Sequence, residues 1–449
     1  MKKIIINKKN VKKRAAVLMI CASLMLSSCG SSSSDIDTSK SSKDNVITNK
    51  DTVTVDENAT TVSELRISQD IIDNMAPATD TGELNITDEI IETGILNSGD
   101  TSRLESCMEK ASRGEELTIA YLGGSITDGS NASPQETSCY AYLSTQWWKD
   151  TFPNANIRYI NAGIGDTDSW IGVHRAKEDV LKYSPDLVIV EYSVNDWQQL
   201  NKETYDSLLR MLLTSDSSPA VISLMLSHET GGYAKEHAPI AFKYKVPMIS
   251  YSALLTKGLV KWNDVGAADK VHPKNSGHAL IARLLTEFYR SVLSDINSHP
   301  YTEYVVPDIS LSQTKCRYDN SRILYSDELS ATDSQDFEAG EVWTLLSNNN
   351  GWHTENAGNI KFTLNAKELG ILYIQTNTEP EKYDICYEIY VDDVFSGTIS
   401  GYDKDTWGQH VKYESILLED TAAEHVISLV PKDGFPGKDF TITGIGVTE

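Results

Sequence analysis

The chain has 449 residues, a formal net charge of −24, 40% hydrophobic and 23% charged residues, a composition with room for about two to four folded domains. That mixture excludes collagen, a coiled-coil rod and a wholly disordered chain. The acidic balance, with no basic stripe to offset it, also excludes a nucleic acid partner, because phosphates must be met by Lys and Arg.

At the amino terminus Lys2, Lys3, Lys8, Lys9, Lys12, Lys13 and Arg14 precede an apolar run from Ala15 to Leu26. The run is short for a membrane span and reads as a signal sequence. It ends in Leu26-Ser27-Ser28-Cys29-Gly30, which closely resembles the lipobox of bacterial lipoproteins. That resemblance implies removal of residues 1–28 and acylation of Cys29, which becomes the first residue of an exported protein held at the cell surface by a lipid anchor in the membrane. The other reading is cleavage by an ordinary signal peptidase, with Cys29 incidental. Removing residues 1–28 takes away seven positive charges and no negative ones, so the net charge moves from −24 to −31. Residues 29–64 are rich in Ser, Thr, Asp and Lys and poor in large apolar groups, as in a flexible tether. Residues 65–99 form an extension before the first regular pattern.

Beyond Cys21 and Cys29 only Cys107, Cys139, Cys316 and Cys386 remain, too few for a disulfide scaffold. Spacing assigns no pair, and both a bridge and buried free thiols fit. No Cys-x-x-Cys, His-x-His or His-Glu-x-x-His spacing points to a metal.

Ser102 to Glu105 has the pattern of a helix capping box and leads into a helix ending near Gly114. Short apolar runs at 117–122, 157–160, 187–192, 221–226 and 247–251 predict strands. Amphipathic stretches at 140–152, 171–183, 205–213 and 233–244 predict the helices between them. A last helix begins near Asn275 and carries Leu280, Leu284, Phe288 and Val292 on one face. Continuous apolar strands alternating with helices predict a three-layer α/β domain over residues 100–297 with a parallel sheet.

From residue 298 to 449 the texture changes to runs rich in β-branched and aromatic residues, at 362–375, 385–391, 394–399 and 425–430, punctuated by Gly, Asn and Asp. These predict a C-terminal all-β domain, a sandwich or jelly roll.

Four loops carry the polar residues. The first strand runs into Gly123-Gly124-Ser125-Ile126-Thr127, which places a serine at the carboxyl end of a parallel strand, where open α/β sheets bind ligands. Asn161-Ala162-Gly163-Ile164-Gly165-Asp166 follows the second strand, and Val194-Asn195-Asp196 follows the third. Glycine lets a backbone N–H face a ligand and an asparagine amide is a neutral donor, so the two suit an oxyanion. Asp269-Lys270-Val271-His272-Pro273 precedes the last helix, and its spacing lets the Asp269 carboxylate accept the Nδ1 proton of His272 and leave Nε2 as a base. Taken singly each loop also fits an ordinary turn, and His278 reads as a bystander in a turn or cap.

In order and spacing, the four loops together resemble the SGNH (GDSL-type) hydrolases over about residues 100 to 297. The resemblance implies a flavodoxin-like sheet and an esterase without metal or cofactor. Ser125 is then the nucleophile, His272 the base and acid, and Asp269 the residue that orients it. The Ser125 N–H, the backbone near Gly165 and the Asn195 amide form the oxyanion hole. An ungapped reading puts Asp166 where many relatives have the oxyanion glycine, so Gly165 is the donor after a one-residue shift, or the Asp166 N–H serves instead. A carboxylate aimed inward opposes an oxyanion, so the Asp166 side chain is expected to face away.

Export, an anchor and a second domain loosely similar to jelly-roll modules of carbohydrate esterases point to an acetylated polysaccharide as substrate. Lipase, thioesterase or peptidoglycan O-acetylesterase chemistry with the same residues is the alternative within enzymes. A glycan-binding relic is the alternative outside them, disfavoured by the joint presence of Ser125, Asp269 and His272. Trp170 and Trp197 follow two of the loops and fit either a sugar-stacking wall or packing at the loop bases.

Overall fold

The computed structural model describes residues 65–432 and 437–449. The signal sequence, Cys29 and the tether lie outside the described residues. Six strands form the first sheet: β1 (Ile95–Asn97), β2 (Glu116–Gly123), β3 (Asn156–Gly163), β4 (Leu187–Glu191), β5 (Ala220–Met225) and β6 (Met248–Ser250). Their spatial order is β1-β6-β5-β4-β2-β3. The strands β2 to β6 are parallel to their neighbours. Counted from β2, this is the flavodoxin-like order, and its topological switch point lies beside β2.

The sheet departs from a purely parallel one at one edge. β1, from the extension before residue 100, pairs antiparallel with β6 and covers its open side. Ile95-Leu96-Asn97 is too short a run to announce a strand. The extension is further tied down by Arg66, which bonds Glu105 at 2.7 Å and Glu109 at 2.6 Å. The helix Ser102–Ser112 is entered through Asp100, which accepts from the Ser102 N–H at 3.0 Å, while Glu105 turns to the Thr101 hydroxyl. The expected capping box at Ser102 is therefore displaced toward Asp100 and Thr101.

Alternation along the buried strands separates two cores. Ile119, Tyr121 and Ile189 face the helices Tyr140–Thr151 and Asn275–Asp295. Ala120, Leu122, Val188 and Val190 face the helices Ser169–Asp179 and Leu200–Leu213. This is the three-layer arrangement of a sheet covered on both faces.

The second sheet is antiparallel throughout. Its strands are β7 (Arg322–Leu324), β8 (Asp333–Ser334), β9 (Glu338–Glu341), β10 (Asn350–Thr354), β11 (Ile360–Thr376), β12 (Cys386–Val391), β13 (Val394–Ser400), β14 (Gln409–Pro431) and β15 (Phe440–Thr448). β11 and β14, of 17 and 23 residues, pair along most of their length. The sheet rolls around Trp352, Phe362, Ile389 and Phe440. Phe337, beside β9 at one end, meets the Tyr387 ring of β12 near the other at 6.1 Å.

The two domains share a core, and Trp170 is its centre. The ring is fully buried and stacks on Tyr413 of β14, with centroids 4.1 Å apart and planes 3° from parallel. Gly370 and Gly446 make room for it, since a Cβ on either would stand 2.4 Å from the indole. Trp170 Nε1 donates to Glu368 Oε1 at 2.9 Å, and Glu368 Oε2 lies 2.8 Å from His174 Nε2. Burying this carboxylate is tolerable only because both its oxygens are partnered. The four cysteines among the described residues are free thiols. No helix among the described residues is long and apolar enough to cross a membrane.

Candidate active site

Parallel registration brings Gly123 level with both Gly163 and Glu191, so the loops after β2, β3 and β4 leave the sheet at one edge. Ser125 opens a single helical turn, Ser125–Asp128, directly after β2. Asn161 Nδ2 donates to the Thr127 carbonyl at 2.9 Å and steadies that turn. Gly163 is required by close approach, because a Cβ there would stand 2.1 Å from the Asp128 nitrogen.

The fourth loop arrives from before the last helix. His272 Nε2 lies 2.9 Å from Ser125 Oγ, and His272 Nδ1 lies 2.8 Å from Asp269 Oδ2. A carboxylate accepts only, so Nδ1 carries the proton and the Nε2 lone pair faces the serine hydroxyl. Asp269 Oδ1 also accepts from the backbone N–H of Val271 and of His272, both at 2.9 Å. Partial burial raises the Asp269 pKa, but these hydrogen bonds and the imidazole outweigh it and bring it down to about 2. The group therefore stabilises the fold above its ordinary value of 3.8 and loses that contribution as pH falls through about 2.

Asn195 follows β4, and its Nδ2 would lie 3.4 Å from a Cβ built on Gly124, so the amide flanks the serine turn. The next residue is buried and structural. Asp196 accepts from the Ser169 N–H at 2.7 Å and lies 2.8 Å from His237 Nε2. Burial raises Asp196 to about 8 and lowers His237 to about 3, so it disfavours charge on both partners. Glu191, at the end of β4, is likewise pushed up to about 8 by burial.

Gly165 lines the same cleft as Ser125 and Asn195. Asp166 adopts a left-handed backbone with φ of 59°. Its side chain is turned to the β domain, where Lys412 Nζ donates to Oδ2 at 2.8 Å and His410 Nε2 stands 3.5 Å away. Asp168 is also buried. Its Oδ1 caps the helix Ser169–Asp179 and its Oδ2 accepts from Tyr413 Oη at 2.7 Å and from Asn201 Nδ2 at 2.9 Å.

These residues line a cleft of about 1380 Å³ that the α/β domain shares with the β domain. Trp197 stands at it and is 75% exposed. Trp170 does not reach it: the sugar-wall reading of that residue is corrected, because its ring is consumed in packing against a second domain some two hundred positions later in sequence. His278 is no surface bystander either. It is buried, its Nδ1 accepts from the Tyr140 N–H at 3.3 Å, its Nε2 donates to the Ser130 carbonyl at 3.1 Å, and burial lowers it to about 4.

Sequence reasoning missed Asn131, whose Nδ2 donates to Asp269 Oδ2 at 2.6 Å. It also missed the contribution of the β domain, which supplies Leu345, Trp407, Lys412 and Tyr413 to the cleft. No local pattern marks Asn131, whereas Trp407-Gly408 is recognisable as an aromatic in a loop. Among the described residues no cluster of His, Cys, Asp and Glu has the form of a metal site.

The model of the GDSL-like lipase/acylhydrolase family matches residues 121–280, the segment that holds all four loops. An acetylxylan esterase from Geobacillus stearothermophilus is 26% identical over 207 residues, covering 39% of this chain and 93% of that protein. The crystal structure of a two-domain esterase active on acetylated mannans is similar with a TM-score of 0.71 and 30% identity, over 80% of this chain and 98% of that one. Its form co-crystallised with mannopentaose gives 0.70, 30%, 80% and 97%. That likeness runs through both domains. With Ser125, His272 and Asp269 in one hydrogen-bonded line inside the matched segment, the chain belongs to the GDSL-like lipase/acylhydrolase family and is a serine hydrolase of carboxylic esters.

Proposed function

We propose that the protein removes acetyl groups from an acetylated polysaccharide of the xylan or mannan kind, bound in the cleft between its domains. The observation that carries the reading is the cleft itself. At about 1380 Å³ it exceeds the ~300–1,000 Å³ usual for small ligands. Ser125 lies within it, and the exposed faces of Trp197 and Trp407 stand beside it. A flat, amphipathic ring is suited to an extended sugar chain. The acetylxylan esterase and the mannan-active esterase support the same substrate class.

In the reaction, Ser125 Oγ attacks the acetyl carbonyl while His272 Nε2 takes its proton. Asp269 holds the imidazole in the required tautomer and balances its charge. The oxyanion meets the Asn195 amide, the Ser125 N–H and the backbone near Gly165. His272 then protonates the departing sugar oxygen, and water releases acetate from the acylated serine by the same steps in reverse.

The test is acetate release from acetylated xylan, mannan, pectin and peptidoglycan beside a p-nitrophenyl ester series. Acetylated xylan or mannan is expected to be preferred, with turnover falling as the acyl chain lengthens. Preference for long acyl chains would instead indicate a lipase or thioesterase. Trp197→Ala is expected to raise KM for the polymer about five- to tenfold, more than for p-nitrophenyl acetate.

Localisation belongs to the same proposal. Residues 1–28 direct export, and acylated Cys29 holds the enzyme at the membrane. Cys29→Ser is expected to move the protein from the membrane pellet to the soluble fraction, and its retention in the pellet would contradict the anchor.

A further inference from the structure

The loop from Ile164 to Trp170 carries the backbone at Gly165 and Asp166 into the active site, yet much of it is fastened to the other domain. Trp407 lies over Gly165, with ring carbons 3.4 and 3.6 Å from where its Cβ would be. Asp166 is bonded by Lys412, Asp168 by Tyr413, and Trp170 is stacked on Tyr413. Its own domain holds the loop as well, through the Ile164 N–H to the Gly123 carbonyl at 3.1 Å and Thr167 Oγ1 to the Ile164 carbonyl at 2.8 Å near its start, and through Asn201 Nδ2 to Asp168 Oδ2 at 2.9 Å and the Ser169 N–H to Asp196 Oδ1 at 2.7 Å near its end. Among the described residues, the side-chain partners of Asp166 are Lys412 and His410, both on β14.

Asp166 has a φ of 59°, a left-handed turn conformation that Asp adopts more readily than most residues, and its side chain is held by β14. His410 is buried behind the pair, stacked on Trp407 with centroids 5.1 Å apart. Burial favours its neutral form, which leaves Lys412 as the cation facing the carboxylate. The Lys412 and Asp166 side chains are each about one-third exposed, and an ion pair so open to water adds little to stability. What it fixes is direction: it keeps the Asp166 carboxylate away from the developing oxyanion and fixes the adjoining peptide.

We propose that Lys412 is a positioning residue for the chemical step, acting through Asp166 on the oxyanion-binding backbone, so that the β domain completes the reaction centre as well as the glycan cleft. The inference rests on the esterase reading above and goes beyond it, because it predicts an effect on substrates too small to need a second domain.

The experiment compares wild type, Lys412→Met, Asp166→Asn and the double variant on p-nitrophenyl acetate and on acetylated mannan, with Tm recorded for each. Lys412→Met is expected to lower kcat on the small ester about ten- to a hundredfold, with KM within about twofold and Tm little changed, and to lower kcat on the polymer by the same factor. The double variant is expected to be no worse than the poorer single one, as for two residues acting as one unit. Lys412→Arg is expected to restore most of the loss. An unchanged small-ester kcat with a raised polymer KM would overturn the proposal and make Lys412 a glycan contact. So would losses in the two single variants that multiply in the double. If Lys412→Met does not fold, Asp166→Asn and Lys412→Arg decide by the same readouts. Ser125→Ala, run in parallel, separates the outcomes: activity surviving there would refute the esterase reading, independently of Lys412.

Discussion

Ser125→Ala is expected to lower kcat on p-nitrophenyl acetate by about 10⁶-fold, and His272→Ala by a similar factor, because nucleophile and base act as one unit. The 2.9 Å contact between Ser125 Oγ and His272 Nε2 is the basis. Neither change alone should move binding much, so KM stays near wild type while kcat collapses. The double variant should be no slower than either single one. Asp269→Ala should cost less, on the order of 10⁴-fold, since it removes orientation and charge balance and leaves the reacting atoms in place. The pH profile follows from the same geometry. Asp269, held down to about 2, keeps its charge at every pH above that value, so its carboxylate is expected to add no ionisation to the acid limb of kcat/KM above about 2, and a step there that disappears in Asp269→Asn would contradict the arrangement.

Asn195→Ala is expected to lower kcat by about 10²- to 10³-fold, equivalent to about 2.7–4 kcal/mol, with little change in KM. The amide flanks Gly124 and faces the cleft that holds Ser125. It meets full negative charge only once the carbonyl has been attacked, so its removal weakens the transition state and spares the ground state. Steady-state kinetics on p-nitrophenyl acetate, with Tm as the control for folding, checks this. A change confined to KM would make Asn195 a substrate-binding residue.

The α/β domain is legible because its central strands are buried on both faces, so Ile119 to Leu122 and Leu187 to Val190 read as unbroken apolar runs between amphipathic helices. The four site loops are legible for a related reason: each sits immediately after a strand or before a helix, and chain order alone carries them to one sheet edge. What escapes the sequence depends on partners far along the chain. Trp170 looks identical in sequence whether it lines a cleft or is buried under Tyr413, and the strand that decides the matter begins at Gln409. The first half of β14 is hidden because many of its side chains are polar and only part buried, whereas Ile427 and Leu429 enter the core and mark its second half. β1 is hidden by its length. Asp166 is a different case. Its presence beside a glycine is visible as an anomaly, but its meaning depends on Lys412, 246 positions away.

Covalent trapping with a fluorophosphonate tests the reaction centre most directly. The structure predicts one adduct per chain, located on the Ser125 peptide by mass spectrometry, forming orders of magnitude more slowly in His272→Ala. Equal labelling of Ser125→Ala, or an adduct on another residue, would contradict it.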